Sequence, residues 1–198
     1  MGEADEIKKI TELLYQHNLE LAVKNKTLSL LEKLYQISVL ELKPEVLAQD
    51  VVNTIRVDLD FEITGIFTFD VTTDSLTPLA FSKADRIKGI FEKLHISLEN
   101  IKILEAGKHD FLKQAIYDKN GGARNNLKEV WGELISPEGF QTIDSESNIK
   151  TVLLYPLKIE NKVFGAIFLG FNREYEVLST FEKECSLPLS IFQGAEND

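Results

Sequence analysis

The chain has 198 residues, 43% of them hydrophobic, with 32 acidic against 22 basic side chains and a formal charge of -10; this allows one core plus an appendage and excludes the clustered basic charge that nucleic acid binding needs. A single cysteine, Cys185, excludes an internal disulfide and a multi-cysteine metal site. No apolar run approaches the ~18–20 residues that cross a bilayer and no signal peptide is visible, so a cytoplasmic setting without direct membrane insertion of this chain is expected, including the cytoplasmic part of a membrane-associated sensor.

From Ile7 to Leu42 the apolar residues follow a seven-residue repeat. Ile7, Leu14, Leu21, Leu28, Tyr35 and Leu42 form an unbroken a series, and Ile10 and Leu31 take matching d positions. The remaining d positions, His17, Lys24 and Ser38, are polar, while Leu13, Leu30 and Leu34 widen the stripe. With no Gly after Gly2 and no Pro before Pro44, propensity and pattern agree on one helix over 1–43. At about 1.5 Å per residue it is too long to bury its stripe on one domain of this size. A second copy is the simplest cover. The expected interface is Ile7, Ile10, Leu14, His17, Leu21, Leu28, Leu31, Tyr35 and Leu42, facing their own copies in a parallel homodimer.

Pro44 suits a helix start, and Val46, Leu47, Val51, Ile55 and Leu59 repeat with helical spacing, which predicts a second helix over 44–60 packed on a domain of 44–194. Ile63 to Val71 and Leu76 to Ser82 read as a hairpin of β-strands around Thr72, Thr73, Asp74 and Ser75. Asp85 to Leu94 returns to helical spacing. Ser97 is the expected N-cap of a short helix ending at Gly107. Between His109 and Gly139 lie a glycine turn at Asn120, Gly121 and Gly122, an amphipathic segment from Leu127 through Val130, Trp131 and Leu134 to Ile135, and a helix start at Ser136 and Pro137. Ile149 to Ile159 and Val163 to Phe171 are near-continuous apolar strands joined by Glu160, Asn161 and Lys162, which predicts central strands covered on both faces. Ser179 to Glu182 has the capping-box pattern of a final helix, which Pro188 should kink or end, and 195–198 reads as a frayed tail.

The run TVLLYPLKIENKVFGAIFLG at 151–170 resembles the closing hairpin of GAF domains, with Pro156, Leu157 and Gly165 in the family's Pro-Leu and early-Gly places. LLYQHNLELAVKNKTLSLLEKLYQIS at 13–38 resembles the helix that precedes GAF domains in bacterial sensor histidine kinases. The resemblance implies an α+β, PAS-related fold: a central antiparallel sheet of about five or six strands, helices on one face and a ligand pocket on the other, preceded by a long coiled-coil helix. Residues 95–148 carry it by position alone.

Sites of known kinds do not match. His17 is followed by Asn-Leu-Glu and lacks the acidic residue, Arg and Pro of a kinase acceptor box. Cys185 has no adjacent His for bilin attachment and no second cysteine for the thiol exchange of free-methionine sulfoxide reductases of this fold. Asn161-Lys162 has no downstream Phe followed by Asp-Glu, as cyclic-nucleotide GAF domains do. His95 and His109 are isolated, without ligand spacing for haem or metal. No nucleophile elbow, P-loop or His-Glu-x-x-His occurs. No cofactor, metal or catalytic residue is therefore assigned. Tyr117, Arg124 and Trp131 are the residues named for a small-molecule ligand, because an Arg among aromatics under a lid can hold a carboxylate or phosphate.

The reading is a non-catalytic sensory or relay module of a bacterial signalling protein, such as a sensor histidine kinase fragment. Its rivals are a monomeric receptor whose long helix folds back on its own domain, and an enzyme with a site assembled only in space.

Overall fold

A computed structural model of the chain describes residues 3–38, 43–125, 127, 135–159 and 161–177. Leu42, Trp131, most of the amphipathic segment at 127–135 and the final helix expected from Ser179 lie outside them.

Helix α1, Glu3–Ser38, is continuous over 36 residues, as the missing helix breakers require. Helix α2, Pro44–Leu59, starts on its proline and ends at Asp60 in the left-handed conformation, where Phe61 N–H bonds Arg56 O at 3.0 Å. Strands β1, Ile63–Asp70, and β2, Ser75–Lys83, form the expected hairpin. Its turn is set by Asp70, whose Oδ1 accepts from Thr72 N at 2.8 Å and Thr72 Oγ1 at 2.6 Å. These bonds, the side-chain one first, lower the Asp70 pKa to about 2. Pro78 is tolerated within β2 because it faces a register shift between Ile66 and Phe67.

Helix α3 spans Asp85–Lys93. The helix expected from Ser97 to Gly107 is not formed. A 3₁₀ turn at Leu98–Asn100, a two-residue edge strand β3, Ile103–Leu104, and a second 3₁₀ turn at Ala106–Lys108 take its place. The left-handed residue there is Glu105, φ 53°, not Gly107. Pairing of Ser75 and Leu76 with Leu104 and Ile103 extends the sheet, and that non-local bonding overrides the local helical signal.

Helix α4, Asp110–Ile116, precedes β4, Gly122–Arg124. The turn between them places Lys119, not a glycine, at positive φ, 56°. Gly121 is required for close approach instead, since a Cβ there would lie 1.9 Å from the Tyr155 ring. Helix α5, Pro137–Ser147, begins as the sequence predicts, with Ser136 Oγ accepting from Gly139 N at 3.2 Å. A Ser136→Ala chain is expected to lose about 1 kcal/mol in urea unfolding.

Strands β5, Thr151–Ile159, and β6, Lys162–Phe171, close the domain. The six strands run in the order β3-β2-β1-β6-β5-β4, every pair antiparallel. The closing hairpin is thus internal, and both its faces are covered as its apolar runs predict. Leu154 and Phe168 join the core shared with α3, α4 and α5, whereas Leu153 and Leu169 join the core shared with α1 and α2. Helices therefore stand on both faces, which corrects the expectation of one helical face.

Candidate functional site

The first candidate is α1 itself, because its two sides do different things. Leu30 and Leu34 are buried with Ala48, Val52 and Ile55 of α2, and Ile37 packs beside them. Lys33 Nζ adds an ion pair to Asp58 at 2.8 Å, whose screened position makes it worth little beside the apolar contacts. Leu28 and Tyr35 of the a series point the other way, at 63% and 69% exposure. The stripe read as one widened seam is thus two faces: Leu30 and Leu34 belong to the domain. Leu31 lies between them, half-buried.

Every side chain described from residue 6 to residue 26 is exposed. They include the interface residues Ile7, Ile10, Leu14, His17 and Leu21, together with Leu13 and Tyr15. That length of helix is roughly 30 Å. Five aliphatic side chains left in water forgo on the order of 1.5–3 kcal/mol each relative to burial.

The second candidate is the face carrying the insertion. A cavity lined by Ile63, Phe91, Leu98, Leu127, Ile135, Ile143 and Ile149 lies between sheet and helices. Its volume is about 10 Å³, the space of one water, and its described lining is wholly apolar.

Tyr117 and Arg124 line none of the described cavities. Tyr117 Oη donates to Asp74 Oδ1 at 2.7 Å, beside the Gly107 N–H that points at the same carboxylate at 3.2 Å. The phenol also stands edge-on to Phe69. These bonds clip the insertion to the β1–β2 turn. The Asp74 bond, then burial, raises the Tyr117 pKa above its ordinary 10.0. A raised folded-state value contributes stability below the unfolded pKa that is lost as pH rises through the folded one. Tyr117→Phe is expected to cost about 1 kcal/mol at neutral pH, and to remove a late-ionising phenol from an ultraviolet titration.

Arg124 lies on edge strand β4, with its guanidinium 4.5 Å from the Phe111 ring centroid. It donates to Ala123 O at 2.8 Å and to Gln114 Oε1 at 3.4 Å. Its stacking and donors hold α4 to the sheet edge. His95 ends α3 at φ 55° and His109 precedes α4. Among the described residues no three His, Cys, Asp or Glu side chains are grouped to hold a metal. No described helix is long and apolar enough to cross a membrane.

A feature that sequence reading missed lies on the opposite face. Leu47, Ala48 and Val51 of α2, with Leu79, Ile159 and Phe164, border an apolar groove of about 270 Å³ floored by Ile66, Leu157 and Ile167. The apolar runs of β5 and β6 are legible in the sequence, but nothing local indicates that a groove remains beside α2.

No family model and no curated protein matches the sequence. Solved structures do match the fold. A GAF domain from the phosphoenolpyruvate-protein phosphotransferase of Coxiella burnetii is similar with a TM-score of 0.62 at 12% identity, over 86% of this chain and 92% of that one. A GAF domain of A. aeolicus in an inactive state gives 0.59 at 13% identity, over 87% and 93%. The free methionine-R-sulfoxide reductase of Neisseria meningitidis gives 0.57 at 10% identity, over 83% of each. The chain has the GAF fold.

Proposed function

We propose that this chain is a non-catalytic relay module of a bacterial signalling protein, in the manner of the GAF region of a sensor histidine kinase, and that it works as a homodimer through parallel α1 helices. The observation that carries the reading is the division of α1 into a face used by its own domain and an opposite, exposed heptad face. The two faces diverge at Leu28 and Leu30, so dimerisation along the a series leaves the α1–α2 contact intact. Polar His17 and Lys24 at d positions weaken the middle of the seam, which suits a helix pair that shifts between packings.

Three features favour relay by helix packing over a resident ligand or a reaction. The described cavity among Ile63, Phe91, Ile143 and Ile149 has room for about one water. Tyr117 and Arg124 are engaged in holding the insertion rather than converging on a cavity. The one cysteine supplies no pair for the exchange chemistry of a sulfoxide reductase. A monomeric receptor folded back on its helix would use the whole of α1, whereas packing on α2 engages its last turns. Light scattering at tens of micromolar is expected to give twice the chain mass, and a monomer at that concentration overturns the proposal.

A further inference from the structure

The groove beside α2 has a lining that restricts what can occupy it. One wall is α2, and the floor crosses four neighbouring strands, from Leu79 of β2 through Ile66 of β1 and Ile167 of β6 to Leu157 of β5. Three strand spacings make it roughly 14 Å long. Spread over that length, its 270 Å³ leaves a mean section of roughly 20 Å², one hydrocarbon chain wide when carbons meet at about 4 Å. None of its described lining residues carries a polar side-chain atom. The buried part of an occupant must therefore be apolar, because a hydroxyl or amide there would lose water and find nothing to bond. At about 30 Å³ for each water-sized group, the groove takes about nine methylenes.

The rim of the groove is cationic, in a chain whose formal charge is -10. Pro44, Ile159 and Phe164 form its exposed edge. Lys162 pairs with Ile159 in the β5–β6 register and so shares its face. Lys43 is the N-cap of α2, immediately before Pro44. Both lysines are exposed, and Glu45 in the first turn of α2 is the described acidic residue beside them. Lys158 is turned to the other face, where it donates to Lys119 O. A chain lying under α2 thus emerges where a carboxylate can meet two ammonium groups without leaving water.

We infer that this groove is a binding site for a single-chain anionic amphiphile, a fatty-acid carboxylate of about eight to ten carbons, with its chain under α2 and its head between Lys43 and Lys162. The site lies on the opposite face of the sheet from the cavity that holds about one water, and it needs no second copy of the chain. Its consequence for signalling rests on the relay reading: Leu47, Ala48 and Val51 belong to the helix that bears α1, so an occupant between α2 and the sheet acts on the α1–α2 contact.

Calorimetric titration of the whole chain with hexanoate, octanoate and decanoate, below micelle formation, tests the site. Affinity is expected to rise about fourfold per added methylene, levelling off beyond about ten carbons. Lys43→Glu combined with Lys162→Glu should weaken decanoate about tenfold and leave decanol within about twofold, since only the head meets the lysines. Phe164→Glu at the rim should weaken both, and Leu47→Gln serves if that variant does not fold. Methyl resonances of Ile66, Ile159 and Ile167 should move on binding while those of Ile87 and Ile90 in the other core stay in place. Decanoate that fails to bind at about 1 mM overturns the inference, as do shifts confined to the other core or decyltrimethylammonium binding as tightly as decanoate. Decanoate that halves the mass seen by light scattering overturns it too, because a second copy would then hold the groove. A parent chain that is monomeric yet binds decanoate as described would end the dimer reading and leave the site standing.

Discussion

A Leu21→Asp chain is expected to be monomeric at concentrations where the parent is dimeric. Leu21 sits in the projecting part of α1, 55% exposed and with no described side chain of its own domain covering that stretch. In a parallel pair it faces its own copy, so one substitution removes two buried leucines. That forfeits on the order of 3–6 kcal/mol, a hundredfold or more in the dissociation constant. Two carboxylates then oppose each other at the seam. The domain's cores contain no part of Leu21, and the melting of the α/β domain should survive apart from the dimer's mass-action contribution. A Leu21→Asp chain that keeps its dimeric mass and its helical circular dichroism would show that the a series is not the interface.

Gly165→Ala is expected to be among the most destabilising single-methyl additions to the domain. A Cβ at Gly165 would lie 2.1 Å from the carbonyl oxygen of Phe67, a backbone atom that cannot rotate away. Gly165 pairs with Thr68 of β1 on one side and Leu157 of β5 on the other, next to the register shift of the β5–β6 pair. Relief would require moving strands at the centre of the sheet, at a cost of about 3 kcal/mol. For a chain of this size that is a fall of roughly 6–12 °C in melting temperature. Gly89 is the control: a Cβ there meets nothing within 4 Å, and it lies in α3. Gly89→Ala should be neutral or stabilising by about 0.5–1 kcal/mol. Equal melting temperatures for the two variants would contradict the sheet geometry at Gly165.

Gly165 also illustrates what family wording conveys. In the sequence it is one place in a resemblance, with Pro156 and Leu157 beside it. In the fold each has a physical reason. Gly165 lets β6 pass close to β1, Leu157 is buried in the α2-side core, and Pro156 lies beyond the last β4 pair at Leu154. The ligand residues fared differently. Aromatic and cationic side chains in an insertion are compatible with a pocket and equally with a clasp. Asp74, forty-three residues before Tyr117, holds that phenol in a clasp.

By itself the sequence determined the elements whose cause is local. The helix over α1 follows from absent breakers and a heptad pattern, the α5 start from Ser136 and Pro137, and the closing hairpin from two apolar runs around a polar turn. The tertiary structure decided what depends on partners distant in the chain. It gave Leu30 and Leu34 to α2 rather than to the seam, and turned the segment after Ser97 into an edge strand through β2. Among the described residues it also left a cavity of about one water's space between Ile63, Phe91 and Ile143, and the groove beside α2. Periodicity specifies that a face is apolar. Which surface covers that face is set by long-range packing, and a single sequence carries no local record of it.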